Sequence, residues 1–352
     1  MIRHYWGSLL ITGACMVAAF YYGGFPAAFL VFILGVMEVS VSFDNAVVNA
    51  KVLKNMTRFW QLMFLTVGIF IAVFAMRLIL PIGIVSLAAD IGFMDTANMV
   101  FKDPETYSAH LHDAHLSISA FGGMFLLMVF LDFFLDAEKE HHWLGSFEER
   151  ISQLGSHDAI SVVVALAVLM GVSSFVEGEQ VGQVAYAGGL GLFLYFLMSM
   201  LKNAFEDEET GEAVANTAKK AGFFSFMYLE VLDASFSLDG VVGAFAISKD
   251  PMIIMMGLGI GAIFVRSITV HLVRTGKLDE LVYLEHGAMY AIGALATIML
   301  GSAFVQVPEL LTGFVGAILI GLAIISSIRY RKLHGDDEGD SDTPETQSAA
   351  AS

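Results

Sequence analysis

The chain has a single cysteine (Cys15), only six prolines, and a charged fraction of 15%. One thiol inside an apolar run leaves no partner for a disulfide and no thiolate cluster for a metal. So little proline suits a helical bundle better than a loop-rich protein. A soluble domain carries roughly 25% charged residues, and this chain falls well short of that. No HExxH, P-loop, GxSxG or kinase signature occurs. An ATP-driven pump and an intramembrane metalloprotease therefore have no supporting motif, and no enzyme is expected. Basic residues number 18 against 35 acidic ones, and nothing in that balance points to nucleic acid.

Part of the acidic excess sits where it costs little. Asp336, Asp337, Glu338, Asp340, Asp342 and Glu345 all lie in the last 17 residues. Residues 335–352 read as a disordered acidic tail. Another acidic run, Glu206–Glu212, reads as a solvated loop. The chain is 57% hydrophobic, with 29 Phe and 19 Met and a mean hydropathy of +0.71. Its apolar runs are continuous over about 20 residues, the length of a membrane-spanning helix, which excludes a transmembrane β-barrel. No cleavable signal is expected at Trp6–Gly23, which continues into another apolar run.

Ten apolar segments can be drawn: Trp6–Tyr22, Pro26–Ala50, Trp60–Ala88, His115–Asp136, Ala159–Phe175, Gly182–Leu201, Phe223–Ile247, Met252–Val273, Glu285–Ala303 and Glu309–Ile328. With the N-terminus inside, 14 of the 18 basic residues fall on the cytoplasmic side. Lys102 and Lys249 fall outside, while Arg77 and Arg266 lie within segments. That asymmetry supports an all-α, ten-span protein of a bacterial-type inner membrane with both termini cytoplasmic.

Two stretches share one pattern. Gly35–Ala50 reads GVMEVSVSFDNAVVNA and Glu230–Phe245 reads EVLDASFSLDGVVGAF. At an offset of 195, Val36, Ser40, Ser42, Asp44 and Val47 match Val231, Ser235, Ser237, Asp239 and Val242. Each copy carries two carboxylates six residues apart, Glu38 with Asp44 and Asp233 with Asp239. The copies sit on the second and seventh segments, so an odd number of crossings separates them and their helices run antiparallel. That is the inverted-repeat plan of secondary transporters, with residues 1–175 and 176–334 as its halves. Arg77 and Arg266 occupy corresponding mid-segment positions.

Ionised groups inside a membrane cost several kcal/mol each unless paired or metal-bound. The candidate metal-binding residues are Glu38, Ser42, Asp44, Asn45, Glu230, Asp233, Ser237 and Asp239. Carboxylate, hydroxyl and amide oxygens suit Mg²⁺, Ca²⁺ or Mn²⁺. Arg77 and Arg266 cannot be ligands and are expected to neutralise the carboxylates of the empty site. On a straight helix six residues place two side chains about 120° apart. Either the helices break near the Ser-x-Asp step, or the carboxylates serve successive positions along a path. His110, His112, Asp113 and His115 form a candidate exit-side metal loop, for which a solvated polar surface is the simpler reading. Asp132, Asp136, Glu285 and His286 lie near segment ends, where reaching water is the default.

Glu38–Asn45 and Asp233–Gly240, with the embedded arginines, resemble the paired motifs of the TerC family of integral membrane proteins. YLEVLDASFSLDG and YLEHGAMYAIGALA resemble a TerC-like branch labelled only as a domain of unknown function. The resemblance covers most of the membrane region and implies Mn²⁺ efflux, with Mn²⁺ as transported ion and no organic cofactor. In the second motif that family commonly has Ser where this chain has Gly240, and Glu230 is an added carboxylate. The expected partners are a divalent metal ion and the lipid bilayer, with homo-oligomerisation open. Two other functions stay open: a scaffold or metal-delivery factor for secreted proteins or a stress complex, and a small-organic-solute exporter.

Overall fold

The computed structural model describes residues 2–139, 141–153, 159–178, 180–206, 214–276, 280–302, 304–305, 307 and 309–334. Among them every regular element is a helix. In chain order these are α1 (Ile2–Val41), α2 (Phe43–Lys54), α3 (Arg58–Phe70), a π-helical stretch (Ile71–Ile79), α4 (Leu80–Ala88), α5 (Phe93–Lys102), α6 (Pro104–Asp113) and α7 (His115–Phe134). There follow α8 (Ser146–Ser152), α9 (Ile160–Phe175), α10 (Gln180–Glu206), α11 (Val214–Ile247), α12 (Pro251–Thr275), α13 (Leu284–Gly301) and α14 (Glu309–His334). The tail 335–352, and the expectation of disorder placed on it, lie outside the described residues.

Among the described residues, six helical stretches are long and apolar enough to cross a membrane: Tyr5–Val41, Arg58–Leu87, His115–Phe134, Gln180–Leu201, Pro251–Thr275 and Gly313–Leu333. The fifth expected segment is the shorter apolar helix Ile160–Phe175. The first two segments share α1, which leaves helical geometry at Gly23 and Gly24. Gly24 takes φ 70°, open to glycine at no steric cost, and Pro26 sits in the first turn of the arm that follows. The seventh segment, α11, and the ninth, α13, are helical but fall outside the six. Glu230, Asp233 and Asp239 lower the apolar character of α11.

The surface is inverted relative to a soluble protein. Phe25, Phe193 and Met170 are 71%, 62% and 74% exposed, while Glu38 and Arg266 are 2% and 3% exposed. Large apolar side chains on the outside with charges inside are what a lipid-facing bundle requires. This chain is a helical membrane protein. Without a hydrophobic driving force between helices in lipid, close packing has to hold the bundle together. The pairing of α1 with α12 shows how. Gly257 lies so close to α1 that a Cβ there would be 2.5 Å from Leu34 Cβ. A Cβ on Gly261 would overlap the side chain of Glu38, and Gly35 faces Gly257 across the same crossing. The Gly257-x-x-x-Gly261 spacing puts both glycines on one face of α12.

Outside the apolar layers, the turn after α7 is tied to α8 by a buried ion pair. Lys139 donates to Glu148 Oε1 at 2.7 Å, and the Leu144 amide donates to Glu148 Oε2 at 3.1 Å. The Lys139 ammonium also lies 4.6 Å from the centre of the Phe133 ring. His286, at the start of α13, hydrogen-bonds this segment through His141 O at 2.8 Å and is 5% exposed. It does not reach for water as its position near a segment end suggests, because the loop closes over it. Asp132, by contrast, is exposed.

Burial alone would raise the Glu148 carboxyl, but hydrogen bonds from Lys139 and the Leu144 amide hold it below the usual carboxylate range. Its stabilisation is therefore present above the unfolded-state pKa of about 4.3 and lost as pH falls through the lower folded value. Glu148→Ala should lower stability at pH 7 by about 3 kcal/mol, because it leaves a buried ammonium unpaired. The gap from wild type, read by thermal unfolding in detergent, should close as the solution is acidified below that range.

Candidate functional site

The two duplicated motifs meet in the interior. α1 ends at Val41 and α2 begins at Phe43, with Ser42 between them at φ −99°, ψ 17°. Ser and Asp compete for backbone hydrogen bonds and favour such a step. The interruption is shallow, since the Ser42 amide still donates to Glu38 O at 2.9 Å. In the second copy α11 runs through Ser237, Asp239 and Gly240 without interruption. Of the two alternatives that the spacing left open, a helix break is thus present in one copy only.

Glu38, Ser42, Asp44, Asn45, Arg77, Glu230, Asp233, Ser237 and Arg266 are all buried, none more than 7% exposed. The side chain of Asp239 lies outside the described residues. Glu38 Oε1 accepts from Arg77 Nη2 and, at 3.1 Å, from Ser42 Oγ. Asn45 Nδ2 donates to Asp233 Oδ1 at 2.8 Å across the two motifs. Arg266 Nη2 donates to both oxygens of Glu230, at 3.2 and 3.4 Å, and lies 3.6 Å from Asp233 Oδ2.

A second contact fixes how the motifs are arranged. A Cβ built on Gly240 would lie 3.1 Å from Glu38 Oε2. Going from Asn45 back to Glu38 on one side matches going from Asp233 forward to Gly240 on the other. The two segments therefore run antiparallel where they meet. The Glu38–Arg77 and Glu230–Arg266 pairs flank the central Asn45–Asp233 hydrogen bond.

Both arginines are anchored on the helical path that runs from α3 into the π-helical stretch. Arg77 belongs to that stretch, a wide turn of a kind often found at functional sites. Its Nη1 donates to Ala72 O at 2.6 Å, and Arg266 Nη1 donates to Phe64 O at 2.6 Å. Arg266 also packs 4.0 Å from the centre of the Phe64 ring, a cation–π contact. Asp44 stands apart from the arginine-paired groups. One of its oxygens accepts from the Asn45 amide at 2.9 Å, and the other faces Gly316 of α14. The carboxylates of the first motif thus point to different neighbours, as helical spacing requires.

The other candidate group is elsewhere. His110, His112 and Asp113 lie on α6, and His115 opens α7. The rings of His112 and His115 are nearly parallel with centres 6.3 Å apart, and His112 and Asp113 are exposed. His112 lines a cavity of about 410 Å³ with Glu105, Ser108 and Lys249, and Lys249 donates to Ser108 at 2.7 Å. Among the described residues, no group of three or more His, Cys, Asp or Glu is arranged to hold a metal.

Two features of the site carry no mark in the paired motifs. Gly261 lets Glu38 lie against α12. Gly68, on α3, lies against the second ion pair: a Cβ there would be 2.5 Å from Arg266 Nη1 and 2.6 Å from Glu230 Oε1. Gly257-x-x-x-Gly261 is a sequence signal for the first. A lone glycine such as Gly68 gives no such signal.

The family model described as "Protein of unknown function (DUF475)" matches residues 43–334. Over 119 residues the chain is 29% identical to "Uncharacterized membrane protein YceF" of Bacillus subtilis (strain 168), a stretch covering 32% of this chain and 45% of that protein. The chain thus aligns with less than half of that relative. No solved structure matches it. These matches support a membrane-protein family without pointing to TerC in particular.

Gly68→Ala should push the Arg266–Glu230 pair apart and destabilise the protein by about 2 kcal/mol, as overpacking does. Gly83→Ala is the control, since a Cβ at Gly83 meets nothing within 4 Å. Thermal unfolding of the two purified variants should separate them, with Gly83→Ala at or above wild type.

Proposed function

We propose that this chain, which belongs to the DUF475 family, is a divalent-cation transporter of the inner membrane, exporting Mn²⁺ from the cytoplasm. The carrying observation is the Asn45–Asp233 hydrogen bond, which joins the two motifs in a buried, oxygen-rich centre. Among the described residues, the buried carboxylates of the two motifs and their surroundings, Glu38, Asp44, Glu230 and Asp233, are accompanied by two buried cations, Arg77 and Arg266. If all are ionised, the group carries a deficit of two positive charges, and Asp239 would widen it to three. A divalent ion meets that demand, and an oxygen donor set suits Mn²⁺ as well as Mg²⁺ or Ca²⁺.

In this reading the arginines substitute for the ion. When the centre is empty, Arg77 holds Glu38, and Arg266 holds Glu230 and Asp233, so buried carboxylates are not left unpaired. An arriving cation takes over Asp233 and Glu38, and the guanidiniums keep their backbone anchors at Ala72 and Phe64. The antiparallel approach of the motifs agrees with an inverted repeat, and a ten-crossing topology of the kind the charge asymmetry suggests would open the centre alternately to each side. The resemblance of both motifs to TerC proteins supports Mn²⁺ as cargo.

Asp44→Asn and Asp239→Asn should each abolish Mn²⁺ flux in proteoliposomes while the variants elute as folded protein. Unchanged flux in both would sink the transport mechanism. Full flux alongside loss of cellular function on deleting residues 335–352 would favour a scaffold instead.

A further inference from the structure

Asn49 lies outside the motif positions already assigned, yet it is 1% exposed and its Oδ1 has no hydrogen-bond partner. It sits one helical turn beyond Asn45 on α2. Glu38, Ser42, Asn45 and Asn49 follow one another at intervals of four, three and four residues. That spacing makes a single polar stripe along the helical path, buried at 2%, 5%, 1% and 1% exposure. Val47, Val48 and Ala50 beside it belong to the apolar core, so packing alone gives no reason for an amide at this position.

The same deficiency recurs on the facing helix. Asn45 gives its Nδ2 to Asp233, and its Oδ1 has no hydrogen-bond partner. On α11, Ser237 Oγ also has none, and Asp233 Oδ2 accepts no hydrogen bond, its neighbour being Arg266 Nη2 at 3.6 Å. Buried polar atoms are nearly always satisfied, and these four belong to two helices joined by the Asn45–Asp233 hydrogen bond. All four are oxygens. Hard divalent cations collect several such ligands and fill the remaining positions with water.

We propose that Asn49 is a further ligand for the transported cation. It completes a second ion position next to the Asn45–Asp233 contact, towards the Lys51 end of α2. The assignment rests on the transport reading. At this position the ion is held by amide oxygens and one carboxylate edge, with less negative charge than at the Glu38 end. A neutral amide binds without adding charge, which suits a staging position that must also release the ion.

The test measures Mn²⁺ binding to the purified full-length protein by isothermal titration calorimetry. Asn49→Leu, close in size but without an oxygen, should weaken binding at least tenfold, while Asn49→Asp should bind within threefold of wild type or more tightly. Asn49→Ala replaces the leucine variant if that variant does not fold. An unchanged affinity in the oxygen-free variant, as expected if Asn49 holds only a water, overturns the proposal. Equal loss in the oxygen-free and aspartate variants, as expected of a packing role, overturns it too. Wild-type protein that binds no Mn²⁺ would instead refute the transport reading, so the two failures are distinct.

Discussion

The structure depends on keeping ionised side chains inside an apolar bundle. Neither Arg77 nor Arg266 reaches water, and each meets a carboxylate and a backbone carbonyl. A guanidinium has five donors in a fixed fork, so one arginine can hold an acid and tie itself to a helix at once. Removing either partner would leave a buried charge without compensation, the costly case for ion pairs. The surrounding features serve this arrangement. Gly68 and Gly261 clear space for the two pairs, and the π-helical stretch carries Arg77 beside the Ala72 carbonyl it binds.

The two halves of the centre are related but not equivalent. In the first copy the helix steps at Ser42, and the two carboxylates look towards different neighbours. In the second copy the helix continues, and Glu230, which has Gly35 as its counterpart, takes the arginine. Asp233 then serves both Asn45 and Arg266. In the transport reading, such inequality between the two copies leaves a site that need not bind a cation symmetrically from the two sides.

Much of the candidate site is legible in the amino-acid order alone. Glu38, Asp44, Asn45, Asp233, Arg77 and Arg266 stand out because charged and amide groups are rare in long apolar runs, and the repeat shows that they belong together. The apolar segments around α7, α10, α12 and α14 read as helices for the same reason, and helices they are. The His110–His115 run is equally conspicuous, and it lies on α6 and α7 at a partly exposed surface. His286 departs from its expected place near water because its burial depends on the loop through His141 and Glu148, which no local pattern reports.

The sequence by itself determined which groups must be paired, because the cost of burying a charge depends on its residue type and on the apolar length around it. Tertiary structure decided who pairs with whom. Arg266 takes Glu230 ahead of Asp233, Asn45 reaches Asp233, and Asp44 turns towards α14. Those choices follow from close helix crossings set by glycines such as Gly257 and Gly261. Helical periodicity fixes the face on which a side chain lies, but the depth and angle at which another helix meets that face are fixed only when the bundle packs.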